Sequence, residues 1–327
     1  MLYQLLLPIV TLVTISFSCL SSALPVQKTA VEKFSIRALT ARSESGPVIS
    51  TNFPDPSIIK VGTTSTDFSS WTLLTNSDGS WKDALPTLPS WVPSDNYNTW
   101  APDVRQLDDG SFVMYFSATT TADTSKHCVG AATSKNIVGP YAAQASALIC
   151  PLSSGGAIDA SGFQDSNGQR YIVYKVDGNS IGHGGACGNT VSPIVGTPIL
   201  LQPVASDGVT LQGSTTTLLN NNGASDDGIV EAPNIIRTSS GKYILFFSPG
   251  CFTTTNYSVS YATASNVKGP YTRRSTPLFQ TGSYGLSAPG GAQVAKDGQH
   301  MVFHANNGAV RSLYTAVITV TGNTVTA

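Results

Sequence analysis

The sequence predicts an all-β chain, a five-bladed β-propeller with a truncated first blade, and three observations point there. Charged residues make up 11% of the 327-residue chain, under half the roughly 25% of an average soluble domain. Thr, Ser, Gly and Asn fill the gap, and long helical patterns are absent. One phrase recurs along the chain: a short apolar strand, a Gly turn, then an aromatic-rich strand. Repetition of one unit of few short strands is the signature of propeller blades, whereas the rival two-sheet sandwich does not repeat one phrase in this way.

The elements follow in order. Residues 1–23 read as a signal peptide, with an apolar run from Leu5 to Leu20 and then Ser21, Ser22 and Ala23. A membrane anchor fits less well, because the run is short and carries Pro8, Thr11, Thr14, Ser16 and Ser18. Residues 24–46 carry Lys28, Glu32, Lys33, Arg37, Arg42 and Glu44, with little strand character, and read as a pro-segment or flexible lead-in. The propeller is expected over 47–327.

Its first unit opens with Phe53-Pro54-Asp55-Pro56-Ser57-Ile58-Ile59 and turns at Val61-Gly62. The aromatic second strand is then missing; Thr63 to Trp71 already resembles a third strand. Either this blade is truncated or about one to two dozen residues have been lost from the reading, judged against the other blades. Full copies follow. Ala101-Pro102-Asp103-Val104 leads through Asp108-Asp109-Gly110 to Phe112–Phe116, and Ile158 to Phe163 through Asn167-Gly168 to Tyr171–Tyr174. Glu231 to Ile236 leads through Gly241 to Tyr243–Phe247, and Ala288 to Val294 through Asp297-Gly298 to Met301–His304. A third-strand phrase follows two of them, Gly130–Ser134 running to Gly139-Pro140-Tyr141 and Ser260–Ala264 running to Gly269-Pro270-Tyr271.

Four cysteines outlast the leader: Cys128, Cys150, Cys187 and Cys251. An even set in an exported chain favours two disulfides. Of three connectivities, Cys128–Cys150 with Cys187–Cys251 is favoured, because the first pair flanks one short strand region. A zinc site lacks the C-x-x-C spacing that would support it. The sequon Asn256-Tyr257-Ser258 fits the same export route. A net charge of −1 gives no electrostatic footprint for nucleic acid or anionic membrane. Neutral polar partners, carbohydrates above all, are the natural expectation, and a monomer is expected.

The innermost strand of each blade lines the channel, so residues at its start converge on one end. Three blades place an acid there: Asp55, Asp159 and Glu231. Asp before Pro or Ser also serves as a plain turn former; Glu231 is a poor one, and three acids at matched blade positions favour a joint role. Carboxylates against apolar walls suit sugar chemistry, one protonated to donate and another ionised to activate water. Among the histidines, His183 reads as a loop residue, and His127, His300 and His304 as structural. Asp108-Asp109-Gly110, Asp165-Ser166-Asn167-Gly168 and Asp226-Asp227-Gly228 read as turns, for want of the downstream Glu of a calcium loop. No G-x-S-x-G, H-E-x-x-H or phosphate loop is present.

Asn52-Phe53-Pro54-Asp55-Pro56-Ser57, Trp100-Ala101-Pro102-Asp103-Val104, Gly156-Ala157-Ile158-Asp159-Ala160 and Val230-Glu231-Ala232-Pro233 resemble, in order, the blade motifs of glycoside hydrolase family 43. The resemblance implies inverting hydrolysis of arabinose- or xylose-containing plant polysaccharides. It implies Asp55 as general base, Glu231 as general acid and Asp159 as the carboxylate that tunes and orients Glu231. Trp100 and Asp103 would line the subsite of the terminal sugar, with Phe53 a further wall. Many members carry a His in the fifth-blade Pro-Gly phrase near a central metal, often calcium. This chain reads Ala288-Pro289-Gly290-Gly291-Ala292, so the usual His ligand is unmatched; no cofactor is expected, with a structural calcium the alternative. A non-catalytic carbohydrate-binding propeller and a retaining fructan-acting relative are the alternatives.

Overall fold

The computed structural model describes residues 46–60 and 71–327. The expected leader, nearly all of the lead-in and the turn at Gly62 lie outside them. Among the described residues no helix is long and apolar enough to cross a membrane.

The described chain is a propeller. Three four-stranded antiparallel sheets follow one another, each meandering outward in sequence order. They are β1 (Trp100–Gln106), β2 (Phe112–Thr120), β3 (Asp123–Ser134) and β4 (Ala142–Ala143); β5 (Ala157–Gln164), β6 (Arg170–Val176), β7 (Ile199–Val204) and β8 (Thr216–Leu219); and β9 (Val230–Arg237), β10 (Tyr243–Pro249), β11 (Ser260–Ala264) and β12 (Thr272–Arg273). The last blade has β13 (Gly290–Val294), β14 (His300–Asn307) and β15 (Val310–Val317), trailed by a ribbon of β16 (Thr319–Thr321) and β17 (Thr324–Thr326). The sequence gives no hint of how this blade is completed. Val48 donates to the Leu313 carbonyl at 2.9 Å, and Leu313 donates to the Ile49 carbonyl at 3.0 Å. The segment at Val48 and Ile49 thus adds to the outer edge of the last blade and closes the ring.

The second strands read as unbroken apolar runs because both their faces are covered. Every residue of β2 and of β6 is buried. The core is therefore a set of seams between blades. In one, Tyr171, Val173 and Leu201 meet Ile235, Leu245 and Phe247 of the next blade. Charged latches reinforce the seams at the hairpin turns. Arg170 reaches Asp108 at 2.7 Å, the Tyr243 hydroxyl donates to Asp165 at 2.8 Å and Lys60 reaches Asp297 at 3.3 Å. The aspartates at 108 and 165 are turn residues that bind neighbouring blades.

Among the described residues the first sector contains no hydrogen-bonded sheet, and the stretch just after Val61-Gly62, where the second strand is missing from the sequence pattern, lies outside them. A bridge pairs Thr75 with Trp81. Ala84, Leu85 and Val92 pack against Phe112, Met114 and Phe116, while Trp71 and Leu73 pack against Phe53, Ile58, Val302 and Leu313. Side-chain packing ties this sector to both neighbouring blades.

Both disulfides have the favoured connectivity, Cys128–Cys150 and Cys187–Cys251.

One device recurs in all four blade sheets. Trp100 pairs with Ser117 and Asp103 with Tyr115, so three steps on the inner strand face two on its partner. The same offset lies between Ile158 and Ser161, between Glu231 and Asn234, and between Gly290 and Gln293. This is a β-bulge whose extra residue turns left-handed. Ala101 (φ 45°), Asp159 (φ 57°), Ala232 (φ 50°) and Gly291 (φ 61°) occupy that slot, and Asp55 (φ 50°) has the same conformation in the first sector. Asp, unlike a β-branched residue, tolerates it.

Candidate active site

The bulges re-aim the chain at the mouth of the channel. A cleft of about 850 Å³ opens there, lined among others by Phe53, Asp55, Trp100, His127, Asp159, Asp177, Glu231, Phe252 and Arg311. Three blades each deliver one acid to it. Their positions in the repeat are not all matched, however. Asp55 and Asp159 have the left-handed bulge conformation, whereas Glu231 sits one residue earlier, opposite Ser248. The bulge slot of that blade holds Ala232, and Glu231 reaches the cleft from the preceding pleat.

Each acid is anchored differently. The Asp55 amide donates to His304 Nδ1 at 3.1 Å, and its carboxylate lies 3.6 Å from Arg311. The Asp159 amide donates to Ser117 Oγ at 3.0 Å, and Asp159 Oδ2 accepts the Ala232 amide at 2.9 Å. Glu231 Oε2 accepts from Lys175 Nζ at 3.0 Å, and the Tyr257 hydroxyl lies against the same carboxylate.

The three carboxyls are half-buried at the foot of the cleft, where their charges are only partly screened. Burial, then the charges of Glu231 and Asp55, pushes the Asp159 carboxyl up to about 8, against the lesser pull of Lys175. Asp55 is also raised, first by burial and then by Glu231, with Arg311 opposing. Burial alone would discharge Lys175, but Glu231, Asp177 and Asp159 more than offset it and hold the ammonium protonated. His304 is driven well below the usual imidazole range by burial and by Arg311, so it stays neutral and accepts at Nδ1. Asp159 therefore keeps its proton at neutral pH.

The walls differ from the sequence expectation in part. Trp100 is 40% exposed and presents its indole to the cleft. His127, read as structural, stacks on that indole with centroids 3.9 Å apart and lies 3.7 Å from Asp177. Phe53 contributes to the wall from the core beneath it.

Asp103 is corrected. It does not line the cleft but lies fully buried, with both oxygens bound by Arg105 at 2.8 Å and Oδ2 also accepting the Gly162 amide at 2.8 Å. It shares with Trp100 the phrase that brought it to notice, but the bulge at Ala101 sends the two side chains to different places. His183 is exposed and away from the cleft. Arg311, Phe252 and Asp177 are wall residues that the sequence did not mark. Arg311 lies over the Phe252 ring at 4.7 Å. The Cys187–Cys251 bridge joins the cleft-lining loop at Cys187 to the segment just before Phe252.

Among the described residues no three His, Cys, Asp or Glu side chains cluster as ligands for one ion, and the fifth-blade position carries Gly290-Gly291. No step is derived through an ion.

A propeller whose axial cleft draws acids from three blades onto an aromatic wall is the architecture of a carbohydrate-processing protein. The chain belongs to glycosyl hydrolases family 43, whose sequence profile matches residues 45–322. An extracellular endo-α-(1→5)-L-arabinanase from Thermotoga petrophila is 27% identical over 255 residues, 66% of this chain and 50% of that protein. An extracellular endo-α-(1→5)-L-arabinanase 2 from Bacillus subtilis is 33% identical over 27% of this chain and 22% of its own length. The chain thus spans about half the length, or less, of these relatives. Among solved structures, a thermostable family-43 glycoside hydrolase superposes with a TM-score of 0.64 at 24% identity, covering 79% of this chain and 81% of that one. The native arabinanase of Bacillus subtilis does so with a TM-score of 0.60 at 20% identity, covering 84% and 97%. These likenesses establish the shared fold.

Proposed function

We propose that this protein is a secreted, inverting glycoside hydrolase that cleaves arabinofuranosyl linkages in arabinan-type polysaccharide, with xylosyl linkages the nearest alternative. The observation that carries the reading is the convergence of Asp55, Asp159 and Glu231 from separate blades on one cleft walled by Trp100. The arabinanase activity named for the two relatives supports the substrate class. Secretion is supported by the apolar leader, by the two disulfides and by the extracellular naming of those relatives.

In this reading a sugar ring stacks on Trp100 and presents its anomeric carbon between Asp55 and Glu231. Glu231 gives its proton to the glycosidic oxygen as the bond to the anomeric carbon breaks. Asp55, beside Arg311, takes a proton from a water that attacks the opposite face. Asp159, neutral at pH 7, is tied by Oδ2 to the Ala232 amide and so flanks Glu231 without adding a second full negative charge.

The test is product analysis by NMR immediately after mixing with linear arabino-oligosaccharide, arabinoxylan and aryl xylosides. Release of sugar with inverted anomeric configuration is expected. Initial retention would favour the fructan-acting relative's chemistry. Binding of the oligosaccharide by folded protein without turnover would make the chain a carbohydrate-binding propeller.

A further inference from the structure

The second strand of each sheet carries one side chain opposite the residue just before the bulge: Ser117 opposite Trp100, Lys175 opposite Ile158, Ser248 opposite Glu231 and His304 opposite Gly290. In three blades it does the same work. Ser117 Oγ accepts the Asp159 amide at 3.0 Å, Ser248 Oγ accepts the Gly291 amide at 3.0 Å and His304 Nδ1 accepts the Asp55 amide at 3.1 Å. Each ties its blade to the bulge of the next.

Lys175 breaks the series, because an ammonium has no lone pair to offer. The orphaned Ala232 amide turns instead to Asp159 Oδ2 at 2.9 Å, and Lys175 Nζ goes to Glu231 Oε2 at 3.0 Å. Lys175 has no solvent exposure. Burying an ammonium strips its hydration, which pairing offsets only with good geometry, and Ser at this slot serves the fold in two other blades. The fold has no need of the lysine here; the acids do.

We propose, on the strength of the hydrolase reading above, that Lys175 is the positioning residue of the proton-donating step. It commits Glu231 Oε2 to a fixed hydrogen bond, so that the proton passes from the other oxygen, Oε1, to the glycosidic oxygen. By vacating the acceptor role it also draws the Asp159 carboxyl onto the backbone directly after Glu231. The charged and titratable groups facing this pair are Asp159, Asp177, Asp55 and Tyr257.

The experiment compares the wild-type chain and Lys175→Met on an α-1,5-arabino-oligosaccharide and on the same oligosaccharide carrying a 4-nitrophenyl leaving group. The natural linkage needs a proton at its leaving oxygen; the nitrophenolate does not. General acid catalysis contributes about 10²–10⁴-fold, so Lys175→Met is expected to lose about 100-fold in kcat on the natural linkage with KM little changed. On the aryl glycoside the loss should stay under about 5-fold. Removing the ammonium makes the Glu231 carboxylate less favourable, so the alkaline limb of kcat/KM should move to higher pH. Lys175→Arg, which restores a cation, should recover part of the natural-linkage rate. Ser248→Ala, at the equivalent slot of the next blade, should change both substrates by one common factor. Should Lys175→Met fail to fold, Lys175→Gln, which keeps the length and drops the charge, carries the same comparison. Equal losses on both substrates with an unmoved alkaline limb would overturn the proposal. A wild-type chain that cleaves neither substrate would overturn the hydrolase reading with it.

Discussion

Replacing Asp103 by Ala tests the corrected placement of that residue. Its carboxylate has no exposure, while the Arg105 side chain retains 21%. Deleting it strands a guanidinium that made two bonds of 2.8 Å and also leaves the Gly162 amide without its acceptor. Breaking a buried pair from one side costs about 3–5 kcal/mol, and the partial exposure of Arg105 argues for the lower end, about 3. A buried unsatisfied amide adds about 1 kcal/mol or more. A total of about 4 kcal/mol corresponds to a fall in Tm of roughly 8–16 °C for a domain near this size. Thermal melts followed by near-UV circular dichroism, with arabino-oligosaccharide kinetics measured well below the melt, make the comparison. KM should hold within about 2-fold, because the side chain is not in the cleft wall. A large rise in KM with an unchanged Tm would refute the placement and restore Asp103 to the sugar subsite.

Asp159→Asn should raise Tm, and by more at pH 8 than at pH 4, while abolishing most activity. The folded carboxyl is raised to about 8, so its contribution is fully present below the unfolded value and is lost as pH rises through 8; a Tm gain that is flat with pH would contradict this. Removing the Cys187–Cys251 bridge, which spans 64 residues, should cost about 4 kcal/mol, against about 3 for Cys128–Cys150, on loop-closure entropy. Only the former should also raise KM, since Cys187 lines the cleft; denaturation and kinetics on the two double-Ser variants check both statements. Trp100→Ala should lower kcat/KM by about 10-fold or more through loss of the stacking face. His127→Ala should produce a smaller loss in the same direction, which steady-state kinetics would rank.

The repeated phrase was readable because it is local: the Gly turn at 110, 168, 241 or 298 and the aromatic second strand lie within a few residues of each inner strand. The acids were readable for the same reason, since they sit at the head of that phrase. Three things were not. The pairing of Ile49 with Leu313 joins residues far apart in the chain and has no short-range signature. The bulge adds one residue to each inner strand, a shift invisible in the letters, so Glu231 looked aligned with Asp159 and Asp103 looked aligned toward the cleft. Lys175 lies inside Tyr-Ile-Val-Tyr-Lys-Val, where a lone lysine reads as the end of a buried strand rather than as the partner of an acid on the next blade. Its signal was the charge itself, within a run otherwise apolar.

The bulge at the head of each inner strand also shapes what this scaffold could become. Two of its left-handed slots, at Ala101 and Ala232, bear only a methyl group, while a side chain at Gly291 would strike the His304 ring. The backbone at those two addresses already has the dihedral that Asp and Asn tolerate. New polar groups can therefore be grafted beside Asp55 and Asp159 by single codon changes, with no rebuilding of the strands that carry them.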